Sequence, residues 1–162
     1  MKKINLIGKL GKGKFALIDD LDYEKVNKHN WYLLKTKNTN YAYTKINRKT
    51  ILMHRLILNI IDNKEKLVDH INFNGLDNRR KNIRICNRSQ NAVYRKICKR
   101  NKSGYKGVVF EKRSKKNPWV VYYRYKGKSY NGGCYKTKEE AAKVYNKIVK
   151  NLHKDFAYFN NV

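Results

Sequence analysis

Acidic residues are scarce: 12 Asp and Glu stand against 39 Lys and Arg, so the formal charge is +27. Such an excess opposes compaction by self-repulsion, and a polyanion relieves it; nucleic acid is the commonest such partner. No run of about 18 apolar residues exists to span a bilayer as a helix. The N-terminus starts like a signal peptide, but Lys9 interrupts the apolar stretch at once. The sequence therefore predicts a soluble intracellular protein with no membrane partner. Cysteine is sparse and unpaired. Cys86, Cys98 and Cys134 are odd in number, form no CxxC and fit no zinc spacing. They read as buried or idle thiols, and any metal must be held by oxygen and nitrogen ligands.

What is present excludes a disordered basic arm. Hydrophobic residues make up 41% of the chain, and its 13 Tyr, 5 Phe and 2 Trp interleave with the basic residues. At 162 residues the chain suits one domain or two small ones. Strands are expected at 15–18, 31–34 and 41–43, divided by polar turns, and a short buried helix from Met53 to Ile61. Residues 67–71 and 83–85 read as two further strands around an Asn72-Phe73-Asn74-Gly75 turn. Asn87 and Gln90 have the spacing of a capping box, so a helix follows, with Ala92, Val93 and Ile97 on its apolar side. Residues 67–98 thus read strand, loop, strand, helix.

Residues 95–102 are basic, with little apolar content, and read as a linker. Residues 104–135 carry three strand-like runs with turns near 115–118 and 126–128. Thr137 and Glu140 make a second capping box, and Ala141, Tyr145, Ile148 and Leu152 recur at helical spacing. The sequence predicts an α+β protein: a small-strand N-terminal region leading into strand–strand–helix, then a three-stranded antiparallel sheet packed on one helix.

The chemistry concentrates in residues 68–91. Asn82 lies 12 residues after His70, and Asn91 lies 9 after Asn82. Phosphodiester hydrolysis needs water deprotonated near neutral pH, which imidazole can do. It also needs growing charge neutralised, which a hard divalent cation does. That cation takes oxygen ligands, which Asp69 and Asn91 supply. Neighbouring strand residues point to opposite faces, so Asp69 and His70 share a site only if the strand bends. Asp77 and Asn78 read as turn-stabilising residues or as an extension of the metal site. His54 reads either as packed structure or as part of the cleft; His29 and His153 read as surface residues. Arg79, Arg80 and Lys81 are expected on DNA phosphates.

The run DHIN, LDNRRKNIRIC and QN resembles the HNH endonucleases, especially the phage and intron homing type. WYLLK, YAYTK and MHRLIL upstream extend the resemblance over roughly residues 13–94. It implies a ββα-metal fold, His70 as general base, and Asn82 as the residue that ties the loop by hydrogen bonds. It also implies Asp69 and Asn91 as ligands of one divalent metal ion. The last motif position is often His in the family; Asn91 there favours Mg2+ or Mn2+. The implied domains are 1–94 for the nuclease, 95–102 for the linker and 103–162 for a DNA-binding module.

That module resembles the plant ethylene-response-factor DNA-binding domain through YKGV, a Trp opening strand two, GK before strand three and the EEAA-containing helix. The family reads the major groove with its sheet. By that resemblance Arg124 matches a base-contacting arginine and Tyr122 a groove residue. Val109, Ser129 and Asn131 fall where the plant proteins use Arg or Trp, so their target sequence does not transfer. Alternation sends Trp119, Val121 and Tyr123 to the helix and Val120, Tyr122 and Arg124 to the groove. Residues 95–131 hold 13 Lys and Arg against one acidic residue, Glu111. Lys112, Arg113, Lys115, Lys116, Lys126 and Lys128 are expected on phosphates. The expected protein is a monomer on duplex DNA, encoded by a phage or mobile element. The competing readings are an inactive DNA-binding regulator and a basic RNA-binding protein.

Overall fold

A computed structural model of the chain describes residues 1–94, 97 and 100–162. Arg95, Lys96, Cys98 and Lys99 of the expected linker, with the thiol of Cys98, lie outside the described residues. The chain is α+β and divides into two compact units, Met1–Asn87 and Arg88–Val162.

In the first unit β1 (Lys2–Asn5) pairs antiparallel with β2 (Phe15–Ile18), and α1 spans Tyr23–Asn27. A meander follows of β3 (Tyr32–Lys35), β4 (Asn40–Ile46) and β5 (Lys49–Leu52). Then come α2 (Met53–Ile57) and the antiparallel pair β6 (Leu67–His70) and β7 (Ile83–Cys86). Ile18, Val26, Trp31, Met53 and Ile57 are fully buried in one apolar cluster. The Trp31 indole N–H donates to the Val26 carbonyl at 2.8 Å, which satisfies the one polar atom of a buried ring.

Several elements differ from the sequence expectation, three of them for a clear local reason. Strand β5 follows a two-residue turn, Asn47-Arg48, with both φ angles positive, at 48° and 63°. Such turns usually announce themselves with glycine, and here none does. Helix α1 has five residues and buries only Val26 completely, too short for a helical period to register. Helix α2 ends at Ile57 rather than Ile61, because Asn59 turns the chain into the left-handed region at φ 56°.

The second unit opens with α3 (Arg88–Val93), so strand, strand and helix do follow one another along the chain. Strands β8 (Val108–Phe110), β9 (Trp119–Tyr125) and β10 (Lys128–Tyr135) form an antiparallel sheet with β9 central. Helix α4 (Lys138–His153) packs on it through Ala141, Ala142, Tyr145 and Val149. Both halves of its Thr137–Glu140 capping box are formed. Gly107 sits at φ 74°, where a Cβ would stand 2.1 Å from the Tyr145 ring. No other residue fits beside that ring.

Candidate active site

Strand β6 ends at His70, and β7 begins at Ile83 directly opposite it. The connecting loop is held by its own amides. Asn82 Oδ1 accepts from the Asn72 backbone N–H at 2.9 Å, and Asn82 Nδ2 donates to the Asp77 carbonyl at 2.7 Å. Asn72 Nδ2 donates to Asp77 Oδ2 at 2.8 Å. Asn82 thus bridges both halves of the loop, and it is buried. With Asn82 and Asp77 buried, these three bonds hold the loop in one geometry.

That geometry serves His70, whose ring is buried. Its Nε2 lies 3.3 Å from Asn78 Oδ1. Asn78 is itself fully buried, and its Nδ2 lies 3.4 Å from Met53 Sδ. The amide oxygen accepts, so Nε2 carries the proton and Nδ1 holds the lone pair. Burial lowers the His70 pKa below the ordinary imidazole value, partly opposed by the Asn78 bond and by Asp69 and Asp77. At neutral pH the ring is therefore neutral, the state a proton acceptor needs.

Two aromatic neighbours complete the setting. The His54 ring stands edge-on to His70 with centroids 5.1 Å apart, and Tyr41 lies 5.6 Å from His54 and 5.8 Å from His70. His54 is buried, and burial, His70 and Arg55 together push its pKa down to about 3. Of the two sequence readings of His54, the structure shows packing: it is buried, against the His70 ring. Tyr41 carried no sequence signal, because it sits on an alternating strand like any other tyrosine.

These two imidazoles link folding to pH. The fold resists protonating them, whereas in the unfolded chain His54 takes a proton near the ordinary imidazole value of 6.5. The unfolded state binds more protons below that pH, so stability is expected to fall as pH drops from about 6.5 toward about 3. Urea titrations at about pH 7 and about pH 5 check this, and His54→Gln should reduce the difference. Equal losses in both proteins would show that His54 is not the group responsible.

The other expected site residues are placed as follows. Asp69, buried, faces its cross-strand partner Arg84, whose Nη2 and Nε both donate to Oδ2, at 2.7 and 3.0 Å. Asn91 lies on α3 in the second unit. Among the described residues no three His, Cys, Asp or Glu side chains group as metal ligands. A carboxylate and an amide oxygen are hard donors that suit magnesium or manganese. The carboxylate of that pair is already neutralised on one oxygen. Arg79 and Arg80, expected on DNA, each pair with a buried carboxylate of the first unit. Arg79 reaches both oxygens of Asp77, at 2.7 and 2.6 Å, and Arg80 reaches both of Asp22, at 2.9 and 2.8 Å. Asp22 and Asp77 are buried, and a buried carboxylate needs such a partner. Asp77 thereby stabilises the turn, while Asn78 orients His70. Lys81 is exposed.

In the second unit, register sets Val109, Val120, Tyr122, Arg124, Ser129 and Asn131 on one face of the sheet. Tyr122 and Arg124 are exposed there, and Arg124 Nε lies 3.4 Å from Ser129 Oγ. Val120, expected to point into a groove, is buried instead: it sits on the central strand between Val109 and Cys134. Lys112, Arg113, Lys115 and Lys116 are exposed in the β8–β9 turn, Lys126 is exposed in the β9–β10 turn and Lys128 is exposed at the start of β10. Of the thiols, Cys86 is buried, with burial pushing its pKa up to about 11, and Cys134 is exposed.

Comparison with known proteins places this geometry in context. A curated protein of Acanthamoeba polyphaga mimivirus, named as an uncharacterized HNH endonuclease, is 30% identical over 162 residues. The match covers 97% of this chain and 80% of that protein. No family model matches the chain. No solved structure matches it.

Proposed function

The chain belongs to the HNH endonuclease family, and from that membership we propose that it hydrolyses a phosphodiester of duplex DNA with His70 as general base. The observation that carries this reading is the state of His70: buried, neutral, with Nε2 bonded to Asn78 and Nδ1 left as the basic atom. Nδ1 takes a proton from water, the water oxygen attacks phosphorus, and the bond to the departing sugar oxygen breaks. The products are a 5′-phosphate and a 3′-hydroxyl. Asn82 keeps the loop in register and Asn78 keeps the ring in the correct tautomer.

By the family resemblance Asp69 and Asn91 would be the oxygen ligands of one divalent ion, Mg2+ or Mn2+. Such an ion stabilises negative charge on the phosphate and on the leaving oxygen. Arg79, Arg80 and Lys81 contact phosphate, and the carboxylate pairs of Arg79 and Arg80 also brace the loop. We assign residues 1–94 to the nuclease and residues 103–162 to a module like the ethylene-response-factor domain, joined by the basic stretch 95–102. In that module Tyr122 and Arg124 face the bases. Lys112, Arg113, Lys115, Lys116, Lys126 and Lys128 hold the backbone. The chain acts as a monomer of phage or mobile-element type: it carries one Asp-His-Asn-Asn set, and one such set attacks one strand at a time.

Supercoiled plasmid carrying the target decides the product. Relaxed circles should accumulate first; direct conversion to the linear form, second order in protein, would refute the monomeric nickase. One observation favours a second reading, a DNA-binding protein without cleavage: Arg84 already neutralises Asp69. It requires that no cleavage appear with either metal on any substrate the protein binds.

A further inference from the structure

The N-terminal hairpin carries a feature that the catalytic reading leaves unused. Residues 1–18 contain five lysines and no acidic residue. The loop between β1 and β2 reads Gly8-Lys9-Leu10-Gly11-Lys12-Gly13-Lys14 and folds tightly on itself. The Gly11 and Lys12 N–H groups both donate to the Gly8 carbonyl at 3.0 Å, and Leu6 N–H donates to the Lys14 carbonyl at 2.9 Å. Lys14 Nζ donates to the Leu10 carbonyl at 3.2 Å, a staple across the loop. Lys9 and Lys12 are exposed, and with Gly8, Gly13 and Lys14 they line a shallow concavity. Leu10 is 57% exposed among them.

Leu10 is exposed in a loop with three lysines and no acidic residue, and that charge repels cationic and attracts anionic surfaces. Duplex DNA offers both things this loop lacks: phosphates on the two sides of a groove and an apolar base surface between them. The hairpin is also tied to the catalytic loop. Leu17 N–H donates to the Leu76 carbonyl, and Asn78 N–H donates to the Leu17 carbonyl, each at 2.8 Å. Asn78 is the residue bonded to His70. Strand β2 therefore connects the lysine loop to the ring that takes the proton.

We propose that the Gly8–Lys14 loop is a second duplex-DNA contact, with Lys9 and Lys12 on phosphates flanking a groove and Leu10 pressed against the bases between them. It rests on the DNA reading above, and it gives the first unit a grip of its own on the strand it cuts. The loop sets the position of the duplex on the unit that holds His70, independently of sequence reading elsewhere.

Binding of the full-length chain to a short duplex, measured with chelator across a salt series, tests it. Lys9→Gln with Lys12→Gln should lower the slope of log affinity against log salt by about 2, at roughly 0.9 per phosphate contact. Lys28→Gln with Lys64→Gln, two exposed lysines elsewhere in the same unit, should change it by less than half as much. Leu10→Ala should leave the slope intact and reduce the fluorescence rise of an aminopurine-labelled duplex, which reports base unstacking. A slope change no larger than that of the control pair overturns the phosphate contact. An unaltered fluorescence signal overturns the role of Leu10. Because no cleavage is needed, a slope loss without plasmid cutting by the unmodified chain would sink the nuclease reading and leave this contact standing.

Discussion

Replacing His70 with alanine is expected to slow cleavage by about 10²–10⁴-fold and to leave duplex affinity within about threefold. The division follows from where the ring stands. It is buried at the end of β6, it contributes no positive charge at neutral pH, and the exposed lysines that attract phosphate lie elsewhere. Single-turnover cleavage and a parallel binding titration make the comparison, with thermal unfolding as the check on folding. Asn78→Ala gives the graded counterpart: the ring keeps its place but loses the bond that selects the tautomer, so a smaller loss is expected. A His70→Ala protein that cuts at the unmodified rate would remove His70 from the chemistry.

The second large effect is expected at Asp69. Asp69→Ala should abolish metal-dependent cleavage and also destabilise the first unit, because it strands Arg84. The two side chains are only 8% and 17% exposed, and breaking a buried pair typically costs about 3–5 kcal/mol; partial exposure of the arginine puts this one near the lower end. The two consequences separate in a double variant. Asp69→Ala with Arg84→Leu removes both charges, so stability should return towards that of the parent while activity stays absent. Urea unfolding and a magnesium titration of plasmid cleavage read the two quantities. Activity restored in the double variant would make Asp69 a structural ion-pair partner and nothing more.

What the amino-acid sequence determined is what short-range rules govern. The charge of the chain, the strand run at 15–18, the run expected at 67–71 and found at Leu67–His70, and α4 with its Thr137–Glu140 cap rest on patterns two to four residues apart. The spacing of His70 and Asn82 was legible for the same reason: both belong to one hairpin, whose register is set by its own two strands. Membership of the HNH endonucleases was legible because the motif is contiguous enough to be matched as a string. Even these rules failed where the local device was atypical, as at the Asn47-Arg48 turn and the five-residue α1.

The partners of the site residues were a different matter. His54 and Tyr41 meet His70 from 16 and 29 positions away, and Arg80 reaches Asp22 from 58. Nothing near Arg80 in the sequence says that it pairs with Asp22, whereas Arg79 pairs with Asp77 only two residues away. That outcome depends on which carboxylates the fold buries, and a carboxylate taken out of water recruits the nearest guanidinium whatever the chain separation. Only the tertiary structure could decide that His54 and Tyr41 pack against His70, and that β2 bonds to the loop between β6 and β7. Each of those contacts is made by the topology rather than by local periodicity.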